Sequence, residues 1–358
     1  MTDRGSTANT VQRKPQHNQR LKALLEQAAQ DIEAARSEDQ LVAVIERVKA
    51  FDGPLVYHFV WSKALMIVPC VIAGLMSLIH IAIASPSISE EFLLTIWFPC
   101  GVIALCGFMY MSGKNGRIRK LSERLYIRNL LLDNRLRELG AELPALQQRL
   151  LTDFFELRRG NHSRQLKAGY EGYYQGHTHA FTYRFYHLHY VDRRTETYTD
   201  SKGNRKTRTV DTHFDRYGIV MPFQFVSQMA ILSTRVDGLK GVSYQPSSNR
   251  FNRQFKVLAG TEMIAARFLK PTIVLACEEA ASRFKALNLE CNAQASLCMS
   301  FGNGEWIASA RQKYDFKTPD AFIAEVKEHT VLPELHAALD FIHTLMVYSD
   351  SNFQKAGE

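Results

Sequence analysis

Two uncharged apolar runs, Ala64 to Ala84 and Phe92 to Met111, dominate the hydropathy pattern, with only Ser85 to Glu91 between them. Each is about 20 residues, the length a helix needs to cross a hydrocarbon core of about 30 Å. Neither holds Asp, Glu, Lys or Arg, any of which costs roughly 2.5–3.5 kcal/mol at the centre of such a helix. The pattern predicts a two-helix transmembrane hairpin over residues 61–112, with the lipid bilayer as its partner. The connector carries no Lys or Arg, whereas Lys114, Arg117, Arg119, Lys120, Arg124 and Arg128 follow the second run. The positive-inside rule then puts both termini in the cytoplasm. The polar first 60 residues do not have the form of a secretory signal.

On either side of the hairpin the apolar positions return to helical spacing. Residues 1–16 are polar and read as a disordered tail. Leu21, Leu24, Leu25, Ala28 and Ile32 then mark one helix. Ser37 and Gln40 form a capping box for a second, which Gly53-Pro54 stops, so residues 17–60 read as a cytoplasmic helical pair. Beyond the hairpin, Ile118, Leu121, Leu125, Leu132, Leu136 and Leu139 keep an approximate heptad stripe through a helical stalk, residues 113–160. The stalk can pack on the N-terminal helices or self-associate as a coiled coil into a homo-oligomer. Arg128 within the stripe favours the first.

From about residue 165 the composition turns to Tyr, Phe, Thr and Gly, which predicts strands. His179 to Thr199 and Arg205 to Phe223 read as one long hairpin around residues 200–204. Its outer part interleaves Arg193, Arg194, Lys202, Arg205, Lys206 and Arg208 with threonines, so it predicts a projecting basic arm. Helices over about 260–268 and 276–287 follow, then a strand from Cys291 to Phe301 with alternating apolar and polar positions. Asn303-Gly304 predicts a tight hairpin that sets Phe301 opposite Trp306. Residues 319–347 finish as helix, with Phe322, Val326, Leu335, Leu339 and Ile342 in the core. Residues 161–358 therefore read as a cytoplasmic α+β domain of mostly antiparallel sheet plus helices.

The formal charge of +8 comes largely from the flank after the second apolar run and from the arm. Both suit anionic lipid head groups or an acidic protein partner. Nucleic acid is disfavoured, because the basic residues beside the hairpin already have a topological role. The six cysteines show no C-x-x-C spacing and read as buried, reduced thiols of a reducing compartment.

The segment Phe251-Asn-Arg-Gln-Phe255-Lys-Val257, with Glu262, Ala266-Arg267, Leu269 and Pro271 behind it, resembles the central pattern of a bacterial family known as domain of unknown function 3137. Tyr170-x-Gly172-Tyr173-x-x-Gly176, Phe214-x-x-Tyr217-Gly218-Ile219 and Gly302-Asn303-Gly304 are similar to its strands and closing turn. The resemblance covers roughly residues 20–347 and implies a multi-pass protein of the bacterial inner (cytoplasmic) membrane. It implies no catalytic residues, and the long basic arm departs from it.

Histidine is the one residue type that suggests metal chemistry. His177-Thr-His179 and His187-Leu-His189 are H-x-H pairs, and on a strand such pairs share a face about 6–7 Å apart. His177 and His187 stand ten residues apart along a strand, so one pair with His213, Asp211 or Asp215 is the most that can converge. The ligand set that follows is His177, His179 and His213. Phosphate-binding, zincin and nucleophile-elbow motifs are missing, and no cofactor is implied. The expectation is a non-enzymatic membrane-anchored protein whose cytoplasmic domain binds a partner or the membrane surface. The alternatives are a metal-dependent enzyme with a His-centred site and a membrane-perturbing stress or defence effector.

Overall fold

The computed structural model describes residues 5–58, 60–83, 90–199, 201 and 203–350. Its helices are α1 (Gly5–Ala34), α2 (Glu38–Lys49), α3 (Val60–Ile83), α4 (Glu90–Asp133), α5 (Leu143–Asp153), α6 (Asn249–Gln254), α7 (Glu262–Phe268), α8 (Pro271–Arg283), α9 (Pro319–Lys327) and α10 (Pro333–Asp350). Its strands are β1 (Arg137–Glu138), β2 (Ser163–Gln175), β3 (Ala180–Thr199), β4 (Arg205–Pro222), β5 (Met229–Leu232), β6 (Val242–Tyr244), β7 (Lys256–Ala259), β8 (Asn288–Cys291) and β9 (Ser296–Phe301). The chain divides into two units, residues 1–129 with 311–329 and residues 130–310 with 330–358.

The first unit is helical. In α2, Glu38 and Asp39 open the helix while Arg47 and Lys49 close it, each charge matching the end of the helix dipole it faces. Leu41, Val44, Ile45 and Val48 turn inward with Leu21, Leu25 and Ile32 of α1 and Ile118, Leu121 and Leu125 of α4, all of them buried. Arg128 stands apart from this apolar stripe and donates to the carbonyl of Ala35 at 2.7 Å. Asn129 Nδ2 donates to the carbonyl of Val326 in α9 at 2.9 Å. Helix α1 begins at Gly5, inside the segment that composition marks as a disordered tail.

Among the described residues, no helix is long and apolar enough to cross a membrane. This overturns the transmembrane hairpin expected over residues 61–112, and with it the multi-pass inner-membrane placement. Helix α3 carries Lys63 in its first turn and Pro69, Gly74 and His80 along its length. In α4 the run from Phe92 is interrupted by Pro99, Gly101, Gly107, Tyr110, Ser112 and Gly113 before it meets Lys114. The two helices do lie side by side, with Trp97 Nε1 donating to Ser77 Oγ at 3.0 Å. Ile67, Val71, Ile72, Leu75, Leu78, Phe98, Leu105 and Phe108 stay exposed.

The second unit is α+β. Among the described residues nine strands form one sheet in the order β1-β2-β3-β4-β9-β8-β5-β7-β6, and each neighbouring pair is antiparallel. On one face Tyr186, Leu188 and Tyr190 of β3 pack with Leu146, Leu150 and Phe154. On the other, Phe185 stacks on Trp306 at 5.2 Å between ring centroids. Gly218 in β4 allows this close packing, since a Cβ there would lie 2.4 Å from the Tyr186 hydroxyl.

Two local expectations give way to side-chain hydrogen bonds. The Asn292 carbonyl oxygen accepts from the amides of Gln294 and Ser296, both at 3.0 Å, an Asx-type turn that splits the single strand expected over 291–301. Ala295 adopts a φ of 54° there, and β8 and β9 fold back on each other with Cys291 opposite Leu297. Asn303 is likewise occupied, donating to Arg283 O and accepting from Lys285 N. No strand follows Gly304 among the described residues, although Trp306 still stacks on Phe301 at 5.0 Å.

Candidate functional site

The expected long hairpin is present as β3 and β4, paired from Thr199↔Arg205 to Arg184↔Val220. Strand β2 lies beside β3 only as far as Val191. On the other side β9 lies beside β4 only from Tyr217 onward. From Asp192 to Arg216 the two strands therefore pair with each other alone, as a ribbon. Among the described residues no strand pairs with the outer edge of β4 between Arg205 and Arg216. The outer edge of β3 is partly closed at Arg193, whose N–H donates to Asn161 Oδ1 at 2.7 Å and whose carbonyl accepts from Asn161 Nδ2 at 2.9 Å.

A buried ionic network fixes the root of the ribbon. Arg216 donates through Nε and Nη2 to Glu156 Oε1 at 3.1 and 2.8 Å, and through Nη2 to Ser300 Oγ at 2.7 Å. Arg159 holds both Glu156 oxygens, at 2.7 and 2.9 Å, and Asn288 Nδ2 adds a donor at 2.9 Å. The Arg216 and Glu156 side chains are only 6 and 2 % exposed. Burial alone would push the Glu156 carboxyl up, but the Arg159 hydrogen bond and the charges of Arg216 and Arg159 outweigh it and hold the group below its ordinary range. Nearby, both oxygens of Glu290 accept backbone N–H groups, of Phe155 at 2.9 Å and Glu156 at 2.8 Å. Its burial is less well compensated and pushes its pKa up.

The arm is less basic than its sequence suggests. Arg193 forms a two-point pair with Asp211, both contacts at 2.7 Å. Arg194 and Arg208 share Glu196, at 2.9 and 3.0 Å. These contacts hold the Glu196 and Asp211 carboxyls below their ordinary range, the hydrogen bonds from Arg208 and Arg193 being the largest causes. Arg208 also lies over the Tyr198 ring at 5.7 Å. Lys202 falls outside the described residues. Arg205 is exposed and has no ion-pair partner among the described residues.

The histidines separate into two groups. His187 Nε2 and His189 Nδ1 both contact Asp215 Oδ1, at 2.7 and 3.0 Å, and His189 Nε2 contacts His213 Nδ1 at 3.2 Å. In a neutral chain His187 and His189 donate to Asp215, and His213 donates to His189. Burial would raise the Asp215 carboxyl, but the hydrogen bonds from His187 and His189 and their charges lower it. His177 and His179 sit at the β2–β3 turn, and eleven residues of β3 separate that turn from Val191, the neighbour of His213, or about 36 Å of strand. The set His177, His179 and His213 is therefore not brought together. Among the described residues no group of three or more His, Cys, Asp or Glu side chains is arranged to hold a metal ion. The donor atoms of the Asp215 cluster point at one another rather than at a shared centre.

At the turn, His343 Nε2 accepts from the amides of Thr178 and His179 at 3.5 and 3.3 Å. A Cβ at Gly176 would lie 2.4 Å from that ring. Burial lowers the His343 pKa, and the charges of His179 and His177 add to the effect. His179 Nε2 also lies 3.1 Å from Asp350 Oδ2, outside hydrogen-bond geometry. Phe181, Phe225, Met346 and these two residues line a cavity of about 780 Å³. The three cysteines of this unit are buried. Burial pushes Cys277 up to about 12 and raises Cys291 and Cys298 further, so none is a nucleophile at neutral pH.

No family model, no curated protein and no solved structure matches this chain. The ribbon and its basic residues are legible in the sequence, and His187, His189, His213 and Asp215 stand out as strand neighbours. The buried network at the root is not. Its one sequence signal is polar residues at strand positions flanked by apolar ones: Arg216 before Tyr217, and Asn288 and Glu290 alternating with Leu289 and Cys291.

Proposed function

We propose that this chain is a protein-binding module whose contact element is the β3–β4 ribbon, and that it takes its partner by strand addition along β4. The outer edge from Arg205 to Arg216, beside which no strand lies among the described residues, carries this reading. Such an edge offers a row of backbone donors and acceptors to an extended segment of another chain. The ion pairs of Arg193, Arg194 and Arg208 favour strand addition over a purely electrostatic grip on an anionic lipid surface, because charges already matched within the ribbon draw an anionic surface less strongly.

Photo-cross-linking in cells tests it. A benzophenone side chain at Thr207 or Thr209, on the free edge, should give discrete higher-mass adducts. The same group at Lys167, on β2, should not. Adducts that are absent from the ribbon, or equal at all three positions, would overturn the proposal.

A further inference from the structure

We infer that the partner of the β4 edge is β4 of a second copy of this chain, antiparallel, with Val210 opposite Val210 on the two-fold axis. The inference rests on the strand-addition reading and names its partner. The exposed edge is ordered in charge: Arg205, Lys206 and Arg208 occupy its outer half, Asp211 and Asp215 its inner half. An edge of one sign repels its own copy, which is the usual way such edges are kept apart. This edge carries both signs in sequence, so an antiparallel copy meets it basic half to acidic half.

The register follows from the same residues. In a closed two-fold dimer of antiparallel strands, each residue faces one on the same side of the sheet, and one residue faces its own copy. With Val210 on the axis, Arg205 lies opposite Asp215 of the partner subunit, Lys206 opposite the partner's Phe214 and Thr207 opposite the partner's His213. Arg208 meets the partner's Thr212 and Thr209 the partner's Asp211, so no like charges face each other. Moving the axis to Asp211 sets two Asp211 carboxylates together and puts Lys206 against Arg216. Moving it to Arg208 opposes two arginines. An axis at Thr209 leaves Arg205 facing His213, and a parallel in-register pairing sets every charge against itself.

The structure leaves both members of the key pair ready. Arg205 has no ion-pair partner among the described residues. Both imidazoles that contact Asp215 do so at Oδ1, so Oδ2 faces no hydrogen-bond donor among the described residues and can accept the incoming guanidinium. The carboxylate is held ionised by His187 and His189 for that contact.

Thiol cross-linking of the full-length chain tests the register, with the wild type as control for the native cysteines. Val210→Cys should give a disulfide-linked dimer on mild oxidation, while Thr207→Cys and Thr212→Cys, which do not face themselves, should give little. The two-fold axis doubles every contact, so Arg205→Asp in the Val210→Cys chain should weaken association roughly tenfold. Adding Asp215→Arg to that chain should restore it. Equal cross-linking at all three positions, or no recovery with the double reversal in a chain whose circular dichroism is unchanged, overturns the inference. Photo-adducts from the ribbon without a Val210→Cys dimer overturn self-pairing and leave strand addition standing. Absence of both overturns the two together.

Discussion

The donors of the deeply buried Arg216 guanidinium are answered by Glu156 and Ser300. Removing one partner leaves the other charge buried and unmatched, which typically costs about 3–5 kcal/mol. Glu156→Ala should therefore lower the unfolding free energy, read from urea titration, of the unit holding residues 130–310 by an amount of that order, with Arg216→Met close behind it. Arg216→Met with Glu156→Leu together should recover part of the loss, since two well-packed apolar side chains leave no charge stranded. The same carboxylate gives a pH dependence. Its folded pKa lies below the ordinary 4.5, so its contribution is complete above that value and is lost as pH falls toward the lowered one. Glu290 works in the opposite sense: its pKa is raised, so its contribution is present below 4.5 and is lost as pH rises through the elevated value. Unfolding midpoints between pH 3 and 7 should fall on the acid side for the wild type, and the slope should flatten in the Glu156→Gln chain.

At the scale of elements, the ribbon and the sheet beneath it are separable. The side chains of Thr195 to Thr199 and Arg205 to Thr209 are exposed or half-buried. Replacing residues 195–209 with Asn-Gly should leave the thermal midpoint within about 2 °C, no more than the roughly 2–4 °C that 1 kcal/mol brings in a domain of this size. The β2–β3 turn behaves differently, because His343 pins it from α10. His343 must be neutral to accept the amides of Thr178 and His179, and its pKa is lowered. That stabilisation is complete above the ordinary 6.5 and is lost as pH falls below it. Protection factors of those two amides should drop on acidification, and His343→Ala should drop them at every pH. This contrast also shows which features could be read from sequence. The ends of β3 and β4 were legible because threonine and tyrosine alternation stops at a polar turn over 200–204. The break at Asn292 was not, because it depends on one side chain choosing two backbone amides over a continuing strand. The histidines were legible as types but not as groups, since register decides which of them meet.

For the whole molecule, the hydrophobic runs that dominate the sequence leave a surface that water does not favour. Ile67, Val71, Leu75 and Leu78 of α3 and Phe98, Leu105 and Phe108 of α4 are all more than half exposed. A patch of this kind exceeds what a monomer in water ordinarily leaves open. The purified chain should bind a hydrophobic dye and elute as assemblies larger than its 40.8 kDa at low micromolar concentration. Replacing Ile67, Val71, Leu75 and Leu78 with Gln should reduce both signals. A monodisperse monomer with no dye response would show that this surface is covered within the chain itself. Length and absence of charge were the features read from sequence here. The structure adds which side chains stay open.

The division of the chain also sets an order of events during synthesis. Helix α2 buries its apolar side against α9, yet α9 begins at Pro319 and its unit otherwise ends at Asn129. At ribosomal rates of about 5–20 residues per second, the nascent chain waits roughly 10–40 s between the two. Through that interval the apolar side of α2 lacks the α9 helix it packs against. That side of the helix stays open until Phe322 and Val326 of α9 emerge.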